Sequence, residues 1–512
     1  MWGKVYDLAV IGGGINGCGI ARDAAGRGLS VFLAEAGDLG NGSSSASTKM
    51  VHGGLGLLDR FAFRDVRTAL RERDLLLAAA PHAVRPLRFV MPHRGGRLQR
   101  AATQARLAIY GRLGGRSSLG RPAPVALGGD RAGPTLQADC VVGYEYSDCI
   151  ADDSRLVILN AIDARVHGAD IRPRVRCVVA EREGRLWRLA MEGDNGEPYA
   201  IAARTLVNAA GPWIPDVLDH VVDAHARPDL RLVKGSHIVV PKLYEHDRAY
   251  ALRNADGRIV FVIPYLQDFT LVGTTEEDFH GDPAEVQADT AEIAYLIAAV
   301  SEYFRRPIDE GDVVWAWAGV GVQADPAGRG GGARSHVIEV EANGSQPPLV
   351  TVIGGAITTH RRLAEDVLER LAPFLKMGDK WTAGAALPGG LFPVDGLADL
   401  SRALRAGYPF LAQSHAARLA AAYGTRAQTI VSGARRMEDL GRLFGADLTE
   451  AEVRYLMAEE WAETADDILW RRSKLGLRLN AEEAADLAAW LGEAAIAGNR
   501  TGGARPLRAG AA

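Results

Sequence analysis

The stretch Val5-Tyr-Asp-Leu-Ala-Val-Ile-Gly12-Gly-Gly14-Ile-Asn-Gly17-Cys-Gly-Ile-Ala-Arg-Asp-Ala-Ala-Gly26, continued by Gly28-Leu-Ser-Val-Phe-Leu-Ala-Glu35, decides the fold. The apolar run from Leu8 to Ile11 reads as a buried parallel strand. Gly12, Gly14 and Gly17 form the G-x-G-x-x-G turn: a tight corner, a close approach of backbone to pyrophosphate, and close helix–strand packing. The helix opening at Ile15 aims its free N–H groups and positive dipole end at the phosphates. A second apolar run from Leu29 to Ala34 ends in Glu35, which can accept from both ribose hydroxyls and repels a 2′-phosphate. Strand, turn, helix, strand and acid follow in order within about 30 residues, as the dinucleotide fingerprint requires. Its place at the start of a long chain favours FAD over NAD.

The rest of the chain is long enough for two or three domains. A net charge of −4 suggests no nucleic-acid partner. The four cysteines (Cys18, Cys140, Cys149 and Cys177) show neither a C-x-x-C pair nor metal spacing, so no metal is expected and the thiols read as reduced and cytoplasmic. No charged-then-apolar signal peptide is expected before the first strand. No uninterrupted apolar run of about 18 residues exists, so no segment is expected to span a membrane.

After Glu35 a small-residue loop, Gly40 to Gly56, carries Ser44, Ser45, Ser47, Lys49 and His52. Such a segment can wrap the pyrophosphate and approach the isoalloxazine. Residues 57–90 read as a helix with Leu70, Leu75, Leu76 and Leu77 on its apolar face, then a short strand. Arg94 to Arg121 holds seven arginines and no acid. Within it, 101–113 has helical periodicity with Leu107, Ile109, Tyr110 and Leu113, a pattern that can lie on an anionic membrane surface. Segment 201–213 is a buried strand running into Gly211 beside the FAD. Strands at 232–240, 259–264, 269–274, 313–318 and 349–353 suggest a mixed sheet forming a substrate domain. At 352–366 a strand meets Gly354 and Gly355, then Thr358, Thr359 and a helix N-terminus, whose dipole can stabilise negative charge on the flavin N1/O2 edge. Segment 388–393 reads as a linker.

The expected architecture is therefore α/β: a Rossmann-like layered FAD-binding domain, a mixed-sheet substrate domain and a small all-α C-terminal domain. The boundaries are 1–390, with cap segments at roughly 60–150 and 230–345; 395–495 for the helical domain; and a disordered tail at 498–512. Acids and Arg471/Arg472 in the helical domain read as internal ion pairs.

SSSASTKMVHGGL (43–55) after an FAD fingerprint resembles the FAD-dependent, quinone-reducing glycerol-3-phosphate dehydrogenases. Further matching segments are YEYSDCIADDSRL (144–156), LVNAAGPW (206–213), KGSHIVV (234–240), VFVIP (260–264), GTT (273–275) and ADDILWRR (465–472), so the similarity runs over nearly the whole chain. The resemblance implies hydride transfer from the carbinol of glycerol 3-phosphate to flavin, giving dihydroxyacetone phosphate, with electrons passing to a membrane quinone. It implies a peripheral protein on the inner face of the cytoplasmic membrane, with a homodimer left open. His52 is the expected proton acceptor, with Lys234 facing flavin or substrate. Arg334 is the aligned cation at the substrate.

The resemblance fails where the substrate's phosphate should be held. The family has Arg after His-Gly-Gly-Leu, Arg after Ser-Gly-Val, and Lys after the Gly-Gly pair. Here those positions are Gly56, Gly321 and Ala356. A phosphate dianion in a partly desolvated pocket needs several cations, so glycerol 3-phosphate oxidation is expected to be strongly impaired or lost, or replaced by action on an uncharged polyol. Arg361, Arg362 or His360 are the residues that could rescue phosphate binding. The alternatives are a fully active dehydrogenase with a different phosphate site, and a non-catalytic flavin-binding, membrane-associated protein.

Overall fold

The computed structural model describes residues 4–500 apart from 116, 194, 195, 197, 223, 225, 226, 326–335 and 345. The chain forms two compact units that divide between Leu397 and Ala398. The elements that build the site all belong to the first. In chain order they are β1 (Val5–Ile11), α1 (Ile15–Gly26), β2 (Val31–Glu35), α2 (Phe63–Ala79), α3 (Arg97–Leu113), α4 (Asp153–Val166), β3 (Pro198–Asn208), β4 (Leu230–Pro241), α5 (Thr290–Tyr303), β5 (Trp315–Ala324), β6 (Leu349–Gly354) and α6 (His360–Leu371).

β1 lies between β2 and β3, all parallel, with Ile11 level with Ala34 on one side and Asn208 on the other. β6 continues the sheet, with Leu206 opposite Leu349. The chain leaves β1 towards β2 and returns much later to β3 on the opposite side. Such a reversal opens a crevice at the carboxyl end of β1, where doubly wound sheets bind ligands. α1 packs against α4 and α6 over one face of this sheet. Its small residues allow close packing: a Cβ on Gly19 would fall 3.0 Å from the His360 ring at the start of α6, one on Gly17 1.9 Å from the Gly12 carbonyl oxygen in the preceding turn, and one on Gly26 2.1 Å from the Trp381 ring. Tyr6, Phe32, Trp187 and Leu189 share a separate buried cluster with residues of β3.

A second sheet holds β4 and β5, antiparallel from Leu230↔Ala324 to Val239↔Trp315. It is mixed, because Ala249–Arg253 runs parallel to the Val84–His93 strand while its other pairings are antiparallel. Leu296 and Val300 of α5 pack with Ile238 and Val262 beneath it.

Several expectations need correction. The run Leu349–Ile353, expected in the substrate sheet, lies in β6 of the first sheet, and His336–Glu341 pairs antiparallel to it there. The reason is its pattern: a continuous β-branched run suits a strand buried on both faces. The second sheet therefore takes its strands from Met50–Ala151 and Leu230–Ala324, so the expected cap limits at 60 and 345 do not coincide with it. The strand after α2 is not short but spans Val84–His93. The segment expected as a linker, 388–393, is coil held on α2, with the preceding Leu387 N–H donating to Ala79 O.

The second unit is mostly helical around Leu419, Tyr423, Phe444 and Leu456. It is not purely α: Leu443–Gly445 and Leu448–Thr449 form a small hairpin, turned by Ala446 in the left-handed region. Its arginines form internal ion pairs, Arg471 with Asp467 and Arg418 with buried Glu452. The final helix, Ala481–Arg500, covers the first residues of the expected disordered tail; 501–512 lie outside the described residues. All four cysteines are free and buried. Among the described residues no helix is long and apolar enough to cross a membrane.

Candidate active site

A cavity of about 1750 Å³ runs from Glu35 past Gly12 and Gly14 to Thr358. That is larger than the usual small-ligand pocket of about 300–1,000 Å³ and matches a dinucleotide plus a substrate. Gly12 adopts φ +108°, and a Cβ there would lie 2.6 Å from Ala209 O. The N-cap of α1 is Gly14, which has no side chain of its own to cap the helix. The Ile15 N–H donates to Ser44 Oγ at 3.0 Å, so the serine loop folds over the helix N-terminus. Asn16 Nδ2 donates to Gly354 O at 2.9 Å, tying α1 to the β6–α6 turn, while its Oδ1 is buried without a partner. Gly354 and Gly355 take φ +77° and +97°, which glycine alone adopts freely. Glu35 accepts from the Gly13 and Gly37 amides at 2.7 and 2.8 Å. Burial raises its pKa, and those two amide bonds oppose the rise. This glycine-lined cradle, with an open helix N-terminus and an orphan amide oxygen, fits FAD. When bound, FAD supplies a hydride acceptor.

Gly12, Gly14, Glu35, Ser44, Ser47, Gly211, Gly354, Gly355 and Thr358 all line the cavity. Gly17 instead serves the packing of α1. Ser45 Oγ donates to Gly42 O at 3.3 Å, shaping the loop. Thr359 is buried in the short helical turn before α6.

Lys49 is a correction. Its ammonium is 1% exposed and lies 2.9 Å from both Asp153 carboxylate oxygens, donating also to Ser45 O. It pins the loop from beneath and is not part of the cavity wall, because a buried ammonium needs a charged partner.

Lys234 is a second correction. Its ammonium lies 2.8 Å from Asp289 and 2.7 Å from Glu292, both on the α5 side, and it is not part of the cavity wall. Burial acts to lower its pKa, but the bonds to the two acids outweigh this and raise it. Arg334 lies outside the described residues.

His52 does reach the cavity, and its backbone N–H donates to Thr358 Oγ1 at 3.1 Å. The Gly54 N–H donates to His52 Nδ1 at 3.1 Å. Burial lowers the His52 pKa, opposed by the charge of Asp148 and aided by that of Arg73. A neutral ring that accepts at Nδ1 carries its proton on Nε2. The expected proton acceptor is thus a hydrogen-bond donor in the resting site.

The support beneath His52 was not read from the sequence. The Gly53 N–H donates to Tyr110 Oη at 2.8 Å, Tyr110 Oη donates to Asp148 Oδ2 at 2.8 Å, and Arg73 Nη1 donates to Asp148 Oδ1 at 2.9 Å. All four residues are buried. Tyr110 reads in sequence as one more apolar position. The available signal was Asp148, an acid inside the strand-like run Tyr144 to Ile150. His237 and Trp317 form another buried pair, ring centroids 5.2 Å apart, with His237 Nε2 3.0 Å from Thr48 Oγ1.

Gly321 and Ala356 line the cavity; Gly56 sits on the exposed turn before α2, beside the lining residue Leu57. None of the three candidate rescuers supplies a cation to the wall. Arg361 forks onto Glu72 at 2.6 and 2.7 Å and also bonds Glu365. Arg362 pairs with Asp366 at 2.6 Å. His360 is buried against Asn160 and Ile357 O, and burial drops its pKa to about 4.

The basic helix also differs from expectation. Leu107 and Tyr110 turn inward, leaving Leu98 (88% exposed) and Ile109 (38%) outside, with Phe61 (78%) from the preceding segment. Arg94 pairs with Asp139 and Glu302, and Arg106 pairs with Asp59, so part of the basic charge is neutralised.

Comparison with known proteins agrees with this geometry. The family described as FAD dependent oxidoreductase matches residues 7–361, and the C-terminal domain of alpha-glycerophosphate oxidase matches 380–494. The chain is 47% identical to a glycerol-3-phosphate dehydrogenase of Pseudomonas aeruginosa over 95% of each chain. It is 42% identical to the aerobic glycerol-3-phosphate dehydrogenase of Escherichia coli, over 96% of this chain and 98% of that one. It is 44% identical, over the same shares, to a D-erythritol 1-phosphate dehydrogenase of Brucella abortus. Among solved structures, the glycerol-3-phosphate dehydrogenase of Bacillus halodurans complexed with FAD superposes with a TM-score of 0.72 at 25% identity, covering 97% of this chain and 90% of that one.

Proposed function

The chain belongs to the FAD-dependent glycerol-3-phosphate dehydrogenase family, and we propose from that premise a flavin oxidoreductase whose oxidation of glycerol 3-phosphate is strongly impaired or lost. The observation that carries the reading is the cavity wall: Gly321 and Ala356 stand in it, Gly56 beside it, and Arg361, Arg362 and His360 are committed elsewhere. Losing one partner of a buried charged contact costs roughly 2–5 kcal/mol. Three such losses, even if far from additive, remove several powers of ten from kcat/KM.

Within this reading His52 donates from Nε2 to the substrate oxygen, held by Tyr110 and Asp148. Electrons leave to a membrane quinone. Leu98, Ile109 and Phe61, flanked by arginines, meet an anionic membrane on its inner face.

The deciding experiment is an anaerobic flavin spectrum during titration with sn-glycerol 3-phosphate. The expected result is an unchanged oxidised-flavin band that dithionite still bleaches. Bleaching by substrate at about millimolar or below would establish the other reading, an active dehydrogenase with a different phosphate site.

A further inference from the structure

The cavity wall has a composition that selects a ligand. Arg60 and Asp65, from the segment that follows His52, and Gln323, from β5, all line it. None of these three side chains has a hydrogen-bond or ion-pair partner among the described residues. Arg60 and Arg176 are the only lysines or arginines among the described lining residues, and Arg176 acts on Glu35 at the dinucleotide end. Away from Arg176 the wall thus offers one guanidinium against several carboxylates, Asp65, Asp216, Asp229 and Glu339. Arg60 and Asp65 together carry no net charge. A dianion would meet a single guanidinium and be repelled by the carboxylate.

A row of hydroxyls has the opposite needs, since each donates one hydrogen and accepts others. A carboxylate accepts from two adjacent hydroxyls, while a guanidinium and a carboxamide donate back. The wall is also open. A Cβ at Gly56 meets nothing within 4 Å, and one at Gly321 meets only Val233 O at 3.8 Å. At Gly321, which stands in the wall, no neighbouring side chain fills the space, so the wall is open there.

We propose that this site takes an unphosphorylated straight-chain polyol, its hydroxyls held by Asp65, Arg60 and Gln323. This rests on the reading that the phosphate clamp is lost. Oxidation of one carbinol moves a hydride from its carbon to the flavin and releases the hydroxyl proton to water, leaving a carbonyl.

The test uses the full-length FAD-loaded protein. Erythritol and glycerol are compared with sn-glycerol 3-phosphate and with glycerate, by calorimetric binding and by anaerobic flavin bleaching. Erythritol or glycerol should bind at least ~10-fold more tightly than either anion and should bleach the flavin. Asp65→Asn and Gln323→Leu should each weaken that binding about 10-fold, with flavin content and dithionite reduction retained. Tighter binding of glycerate, lost in Arg60→Ala, would overturn the proposal in favour of a hydroxy acid. Neither polyol binding, with glycerol 3-phosphate also silent, would overturn it while leaving the lost-clamp reading intact. Bleaching by glycerol 3-phosphate below about millimolar would remove both.

Discussion

The Gly54 amide donates to Nδ1 of His52 at 3.1 Å, and this one bond sets what the histidine can do. The proton sits on Nε2, and the ring faces the cavity as a donor. His52→Gln, whose carboxamide also donates, should retain substrate binding to within a few-fold, whereas His52→Ala should weaken it about 10-fold. A kcat/KM profile with no inflection lost in His52→Gln is the expected signature. Loss of an inflection at the histidine pKa would restore the base role.

Arg361 and Glu72 form a buried fork that joins α6 to α2. Removing one partner of such a pair costs about 3–5 kcal/mol. Arg361→Ala should therefore lower the midpoint of denaturant unfolding strongly. Arg361→Met together with Glu72→Leu should recover part of that loss, since Glu365 still loses its bond to Arg361. The affinity for phosphate should not change in the double variant.

The vacated clamp is open to restoration. Gly56, Gly321 and Ala356 all have negative or extended φ, and the first two have free space at Cβ. Gly56→Arg, Gly321→Arg and Ala356→Lys combined should raise kcat/KM for glycerol 3-phosphate by at least about 100-fold, since each tenfold needs only about 1.4 kcal/mol. No gain in steady-state assays would count against the clamp account.

Burial lowers the pKa of His82 and His237 to about 3 and of His360 to about 4. In each, the unfolded chain binds a proton near pH 6.5 while the folded chain does not. Stability is complete above that pH and falls as pH drops towards 4, by about 3 kcal/mol per group. Melting temperatures from pH 8 to pH 4 should show this slope, and His360→Gln should flatten it.

Phe61, Leu98 and Ile109 are exposed apolar residues beside arginines. Leu98→Asp with Ile109→Asp should reduce co-sedimentation with anionic vesicles several-fold, and added salt should weaken the parent's binding. Equal sedimentation of parent and variant would end the membrane reading.

The sequence by itself determined the dinucleotide fold. Gly12, Gly14 and Gly17 have local steric reasons to be glycine, and Glu35 is placed by a strand of fixed rise. The same holds for the Gly354–Gly355 turn, because backbone conformation is a near-neighbour property. Tertiary structure decided everything that depended on a charge finding its partner. Lys49 met Asp153 and Lys234 met Glu292, so two residues expected at the cofactor and substrate became struts. Tyr110 and Asp148, 38 residues apart, became the support of His52. Sheet membership was divided in the same way. The buried run of β6 reads as a strand, but only its pairing with β3 shows which sheet it joins. Hydrogen bonds and ion pairs between distant residues leave no periodicity in a sequence, and the support beneath His52 is built from them.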